Sequence, residues 1–283
     1  MNRIILQLHC NDAKGIIVTV TNFFLQAGGN IVYIDQYVDN INNMFFMRLE
    51  CELPENTDSE NLKYQFNKEV AEAFKIYWQW YEKQHKLRLA LFISKYEHCV
   101  YDILARTNMG ELNVEIPLII SNHKELEYIA QRFDIPFYHI PFTKEIKDSA
   151  QEQQIAILKE HNIEFIVLAR YMQIIGPKLL SLFSNQIINI HHSFLPAFPG
   201  AKPYHSAYNR GVKIIGATSH YVTEELDEGP IIEQDTIRVS HIHSINDFII
   251  KGRDMERMVL SRAVKLHSER KIMVYGNRTI IFS

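Results

Sequence analysis

From residue 87 to residue 191, short apolar strands alternate with helical stretches, and this alternation limits the fold more than any other feature of the chain. LRLALFIS (87–94) reads as a strand. Helices are predicted over 98–109, 123–133, 145–161 and 177–184, with strands over 112–120, 137–141, 164–169 and 186–191. A parallel neighbour needs a long crossover, which a helix supplies, so the pattern predicts a mostly parallel, Rossmann-like α/β sheet with helices on both faces. Ligands of such sheets bind at the carboxyl ends of the strands. Function is therefore expected in the loops after Ser94, Ala169 and His191. KIIGATSHYV (213–222) predicts a further strand, in which Gly216 marks a close backbone approach.

The first 83 residues follow a different order, β-α-β-β-α-β. RIILQLHC (3–10) alternates as a strand, and a helix follows, with Asp12 near its start and Gly28–Gly29 near its end. Two strands flank the polar turn NINN (40–43), SENLKYQFNKEVAEAFKI (59–76) has helical spacing, and YWQWYE closes the unit. This is a ferredoxin-like α+β arrangement. The polar stretch EKQHKLR (82–88) marks a boundary, giving expected domains 1–84 and 85–283. With its D-x-x-G-I start (Asp12, Gly15, Ile16), the first unit resembles an ACT domain. The resemblance implies a regulatory module that self-associates into a dimer or tetramer and takes an amino-acid effector near Asp12 and Gly15; a plain dimerisation unit is the alternative.

Composition narrows the partners. No apolar run approaches the ~20 residues that span a bilayer, and the start MNRIILQLHCNDAKG has no signal-peptide pattern. Three scattered cysteines (Cys10, Cys51, Cys99) do not make a disulfide framework and fit a reducing cytoplasm. Net charge is −3 with no basic block, which points away from nucleic acid and towards a small molecule. The first strand-to-helix loop, SKYEHCVYD (94–102), has no glycine to bring backbone N–H groups onto a phosphate, and no P-loop occurs elsewhere. Neither a nicotinamide nor a nucleotide cofactor is expected.

QIINIHHSFLPAF carries the chemistry. Positions two apart on a strand share a face, so Asn189 and His191 aim together while Ile190 points away. An irregular segment with Pro196 and Pro199 follows. TEELDEGPI supplies four acids, any of which could complete a set of amide, imidazole and carboxylate suited to acyl chemistry. His191 and His192, adjacent on a strand, are expected on opposite faces, and no metal-ligand spacing occurs, so no metal is expected.

The runs NIHHSFLP and GATSHYVTEELDEGPII resemble the folate-dependent formyltransferase superfamily, over about 87–283. The family's Asn-x-His and later Asp fall on Asn189, His191 and Asp227. The resemblance implies hydrolysis of 10-formyltetrahydrofolate to tetrahydrofolate and formate, balancing folate pools for purine synthesis, with folate as substrate and no cofactor. Asn189 would stabilise the oxyanion. Asp227 would bind and deprotonate water, directly or through His191, and His191 would then stabilise the tetrahedral intermediate or protonate the leaving nitrogen. Met172, Gln173, Ile175, His220, Thr223 and Leu226 would line the folate pocket, Gln173 standing where purine-pathway transferases commonly carry arginine. SKYEH lacks the glycine loop that the transferases use for acceptor phosphate, which favours water as acceptor. Transfer to an unusual amine, and a non-enzymatic folate or amino-acid sensor, are the competing readings.

Overall fold

In β1 (Asn2–Asn11) alternate residues Ile4, Leu6, Leu8 and Cys10 enter one core. Helix α1 (Ile16–Gln26) buries Ile16, Val20, Phe23 and Phe24, one stripe at helical spacing, against that core. Its β-branched residues are tolerated because packing outweighs their propensity. Gly15, at φ 95, is the residue that caps α1; Asp12 lies outside the helix and its backbone N–H bonds the Asn43 carbonyl. The chain continues through β2 (Asn30–Asp39), β3 (Met44–Leu53), α2 (Ser59–Phe66), a π-helical turn (Asn67–Ala71), α3 (Glu72–Phe74) and β4 (Tyr77–Glu82). Asp58 caps α2 by accepting from the Glu60 and Asn61 N–H groups. The sheet is antiparallel throughout, in the order β2-β3-β1-β4.

The computed structural model describes residues 2–143, 146–197 and 203–283. Pro199 of the sequence motif and the expected helix start at residue 145 lie outside the described residues. By contacts the chain divides into two units. One runs to His85 and includes Arg270–Met273 and Ile280–Ser283; the other comprises Lys86–Glu269 and Val274–Thr279. The expected domain 85–283 had included all of the C-terminal segments.

In the second unit the elements run β5 (Leu87–Ile93), α4 (His98–Asn108), β6 (Val114–Ser121), α5 (Glu127–Arg132), β7 (Phe137–His139), α6 (Lys147–Glu160), β8 (Phe165–Ala169), α7 (Pro177–Leu182) and β9 (Ile187–His191). They are followed by α8 (Pro203–Arg210), β10 (Ile214–Tyr221), β11 (Ile231–Arg238) and the long α9 (Ile245–Ser268). A final strand pair, β12 (Ile272–Tyr275) and β13 (Arg278–Ile281), ends the chain. The seven-stranded sheet has the order β11-β10-β9-β8-β5-β6-β7. Five strands are parallel, as the alternation predicts, but β10 runs antiparallel to both β9 and β11. The sheet is thus mostly parallel, as expected, with the antiparallel exception at one edge. α8 does not return the chain to the start of the sheet, and β10–β11 form a hairpin with a nine-residue-scale loop, for which no crossover is needed.

Burial explains the rest. β5 and β8, central and covered on both faces, are apolar nearly throughout. Ala90, Phe92, Leu118, Ile120, Ile166 and Leu168 pack against Ile157 and Leu158 of α6 on one face. On the other face α9 packs on β9, β10, β11, α4 and α8. Connections run to opposite sides from β5, so the loops after β5 and β8 part and leave a crevice at their carboxyl ends. Among the described residues no helix is long and apolar enough to cross a membrane.

Candidate active site

The crevice holds a cavity of about 410 Å³, within the range of small-ligand sites. β9 brings Asn189 and His191 to it on one face, as the two-residue period requires. β10 adds His220 directly across from Asn189, since the two are register partners. The loop 222–230 then folds back over the sheet. Its neck is closed by the Tyr221 N–H donating to the Pro230 carbonyl (2.9 Å), and Gly229 sits so close that a Cβ there would lie 1.8 Å from the Tyr221 carbonyl oxygen. Asn277 Nδ2 donates to the Glu228 carbonyl at 2.9 Å and ties the loop to the β12–β13 turn. At the loop's inner end Asp227 adopts a left-handed backbone (φ 59), uncommon for a residue with a side chain, and this turns its carboxylate inward. Glu224, Glu225 and Glu228 stay exposed.

Donor chemistry fixes the roles of the polar atoms. His220 Nδ1 lies 2.9 Å from the Tyr221 carbonyl, an acceptor only, so that nitrogen carries a proton. In the neutral ring Nε2 is then an acceptor, and it meets Asn189 Nδ2 at 3.2 Å. Asn189's NH2 group is thereby oriented, with one N–H on His220 and the other left for the cavity. His191 Nδ1 lies 3.2 Å from Asp227 Oδ2, while Asp227 Oδ1 is 3.7 Å from His220 Nε2, too long for a hydrogen bond. The hydrogen bond from His191 outweighs burial and holds the Asp227 carboxyl well below the usual carboxylate range. His191 is buried, and its Nε2 has no hydrogen-bond partner among the described residues.

The other residues singled out from sequence, Met172, Gln173, Ile175, Thr223 and Leu226, all line this cavity. Met172 and Leu226 are exposed apolar groups at its rim, a cost in water that a bound apolar ring would relieve. Tyr171 also borders it, but its ring packs on Phe92 and its hydroxyl accepts from Gln154 at 3.0 Å. Asp12 and Gly15 belong to the first unit and not to this site.

Two residues were misjudged or missed. His191 and His192 were expected on opposite faces, yet both border the cavity, with ring centroids 5.3 Å apart. The strand ends at His191, so the alternation no longer governs His192. Arg170 also lines the cavity. It has a left-handed backbone (φ 62) and approaches the buried Glu256 of α9 at 3.5 Å. Glu256 also accepts from Tyr204 (2.5 Å) and bonds His98 (2.8 Å). Burial alone would raise the Glu256 carboxyl, but the His98 bond and the Arg170 charge outweigh it and hold the group low. His98, Cys99 and Glu256 have donor atoms within 4.8 Å of one another. They do not fit a metal site: Glu256 is occupied by three partners, and burial pushes the Cys99 thiol well up, away from the thiolate a metal needs.

Known proteins give a consistent background. Residues 87–264 match the formyl transferase family model. A formyltetrahydrofolate deformylase of Synechocystis is 49% identical over 278 residues, which is 98% of each chain. A crystal structure of a formyltetrahydrofolate deformylase from Pseudomonas syringae superposes with a TM-score of 0.96 at 43% identity, covering 100% of this chain and 95% of that one. Its counterpart from Burkholderia mallei gives 0.93 at 37% identity, with both chains covered in full.

Proposed function

The chain belongs to the formyltetrahydrofolate deformylase family, and on that footing we propose that it passes the formyl group of 10-formyltetrahydrofolate to water, giving tetrahydrofolate and formate. One observation carries the reading: Asn189 and the Asp227–His191 pair face the same cavity, and His191 Nε2 is left without a partner there. The folate ring lies among Met172, Gln173, Ile175, Thr223 and Leu226, bringing the formyl carbon to Asn189 and His191.

Asn189's remaining N–H donates to the formyl oxygen and holds it as it becomes an oxyanion, an effect of ~3 kcal/mol for a single well-placed donor. Water attacks the formyl carbon while His191 Nε2 takes its proton. Asp227 is ionised at any working pH, and it stabilises the imidazolium through the 3.2 Å contact to Nδ1. Its depressed proton affinity makes it a poor final acceptor, so the proton rests on His191 and not on Asp227. The imidazolium then protonates N10 as the C–N bond breaks. Proton and bond counts close with water as the only co-reactant, and the reading takes folate as substrate with no cofactor.

The test is purified chain with 10-formyltetrahydrofolate and no acceptor. Catalytic release of formate supports the proposal; turnover that begins only on adding an amine contradicts it, and so does binding without turnover.

The same reading extends outward. A cytoplasmic hydrolase of this kind would balance formylated and free folate for purine synthesis, and three free, buried cysteines suit that compartment. We read the first unit as an ACT-type domain, supported by its β-α-β-β-α-β order. Its exposed apolar residues, Val18 and Leu25 on α1 with Ile34 and Tyr37 on β2, suit a homo-oligomeric contact, with an amino-acid effector near Asp12 and Gly15. Sedimentation of the full chain with and without free amino acids tests both.

A further inference from the structure

Beside the folate cavity lies a second, larger one of about 700 Å³, lined by Lys95, Tyr96, His98, Tyr101, Arg253 and Arg257 among others. Its lining is basic on balance, with Lys95, Arg253 and Arg257 set against the carboxylates of Glu97 and Asp102. Arg170 borders the folate cavity and is only 8% exposed. Its guanidinium carbon lies 4.9 Å from the centre of the Tyr96 ring, and Tyr96 borders the second cavity. Glu256, 1% exposed, anchors the layer by engaging Arg170, His98 and Tyr204 at once.

We propose that the Arg170–Tyr96 layer, anchored by Glu256, determines the acceptor: it separates the formyl carbon from the basic cavity, so that water and not an amine receives the formyl group. The proposal deepens the hydrolase reading and rests on it. Arg170 suits the task. A planar, delocalised guanidinium is a poor nucleophile, so the side chain fills space at the cavity wall without competing for the formyl carbon. Its left-handed backbone directs the side chain to Glu256, and a glycine at that φ would remove the barrier with no strain. Arg170 and Tyr96 are specificity-determining residues here; neither is assigned a bond to the reacting atoms.

The test measures where the formyl group goes. Full-length wild type, Arg170→Gly and Tyr96→Ala are each given formyl-¹³C-labelled 10-formyltetrahydrofolate with glycinamide, and formate and N-formylglycinamide are quantified by NMR after subtracting the enzyme-free reaction. In transfer the amine lone pair bonds the formyl carbon, the N10–C bond breaks, the amine loses one proton and N10 gains one. The adduct-to-formate ratio does not depend on how much of a variant is folded. Wild type should give formate alone. Arg170→Gly should raise the ratio by about tenfold or more, the scale on which a reshaped pocket discriminates. Tyr96→Ala, at a 40% exposed position with Arg170 and Glu256 intact, should raise it less but in the same direction. If Arg170→Gly fails to fold, Tyr96→Ala decides alone. A wild-type ratio in every variant that turns over sinks the proposal. Absence of formate release by wild type would instead sink the functional reading, so the two failures are distinct.

Discussion

Asp227→Asn separates charge from shape at the centre of the site. The amide oxygen can still accept from His191 Nδ1, so the ring keeps its orientation, but the negative charge is gone. At 3.2 Å and an effective dielectric of about 20, a carboxylate and an imidazolium attract by about 5 kcal/mol. Asp227 is 24% exposed, so water screens part of this. A loss of about 3–4 kcal/mol in the transition state is the working figure, or roughly 10²–10³ in kcat. The charge matters only once His191 holds the water's proton, so KM should change little. Steady-state formate release and direct folate binding check both parts. A kcat within about threefold of wild type would refute the assignment of the proton to an Asp227-stabilised His191. A large rise in KM at unchanged kcat would refute it equally, since Asp227 would then be a binding group.

Asn189→Ala should cut kcat by about 10²-fold with a folded protein, because one oxyanion donor is lost; steady-state kinetics with a circular dichroism control measures it. His220→Ala should cost less than that, since it frees Asn189 to rotate without removing its donor, and the double variant with Asn189→Ala should be no worse than Asn189→Ala alone. Asp227's folded carboxyl titrates below its ordinary value of 3.8, so its stabilising contribution is complete above that pH and is lost as pH falls through the folded value. Denaturant unfolding of wild type against Asp227→Asn should therefore show a difference that is flat over about pH 5–8 and shrinks below about pH 4. Gly229→Ala should lower both Tm and kcat, because the new Cβ would fall 1.8 Å from the Tyr221 carbonyl oxygen and force open the neck of the Asp227 loop; differential scanning calorimetry and formate release check it.

Periodicity made the architecture legible where it applied. Apolar strands 87–93 and 165–169 and the helical spacing between them gave away a parallel sheet with its loops at one end. Asn189 and His191 were readable for the same reason: a two-residue period needs no tertiary information. It stopped being readable one residue later, because His192 lies past the strand's end, and strand ends depend on what the next segment does. The antiparallel β10 was hidden in the same way. A strand's own pattern says which face is buried, not which direction its neighbour runs.

Asp227, by contrast, was one of four acids in a loop, and only the resemblance chose it. What physically selects it is the left-handed backbone at φ 59 together with the Gly229 neck, and neither is visible without coordinates. Arg170 and Glu256 mark a stricter limit. They are 86 positions apart by their numbers, on a strand-end loop and a long helix, with no spacing rule to join them. Yet a carboxylate at 1% exposure is costly unless charges meet it, so in the folded chain Glu256 demands Arg170 and His98 as firmly as a strand demands its alternation. That demand makes the partition rigid. A barrier held only by van der Waals packing would yield to a small amine; one tied to a buried ion cluster yields only if the cluster is broken. Acceptor choice in this family member should therefore respond to substitutions at Glu256 as well as at Arg170, and Glu256→Gln, which keeps the shape but weakens the anchor, should shift the adduct-to-formate ratio in the same direction as Arg170→Gly and by less.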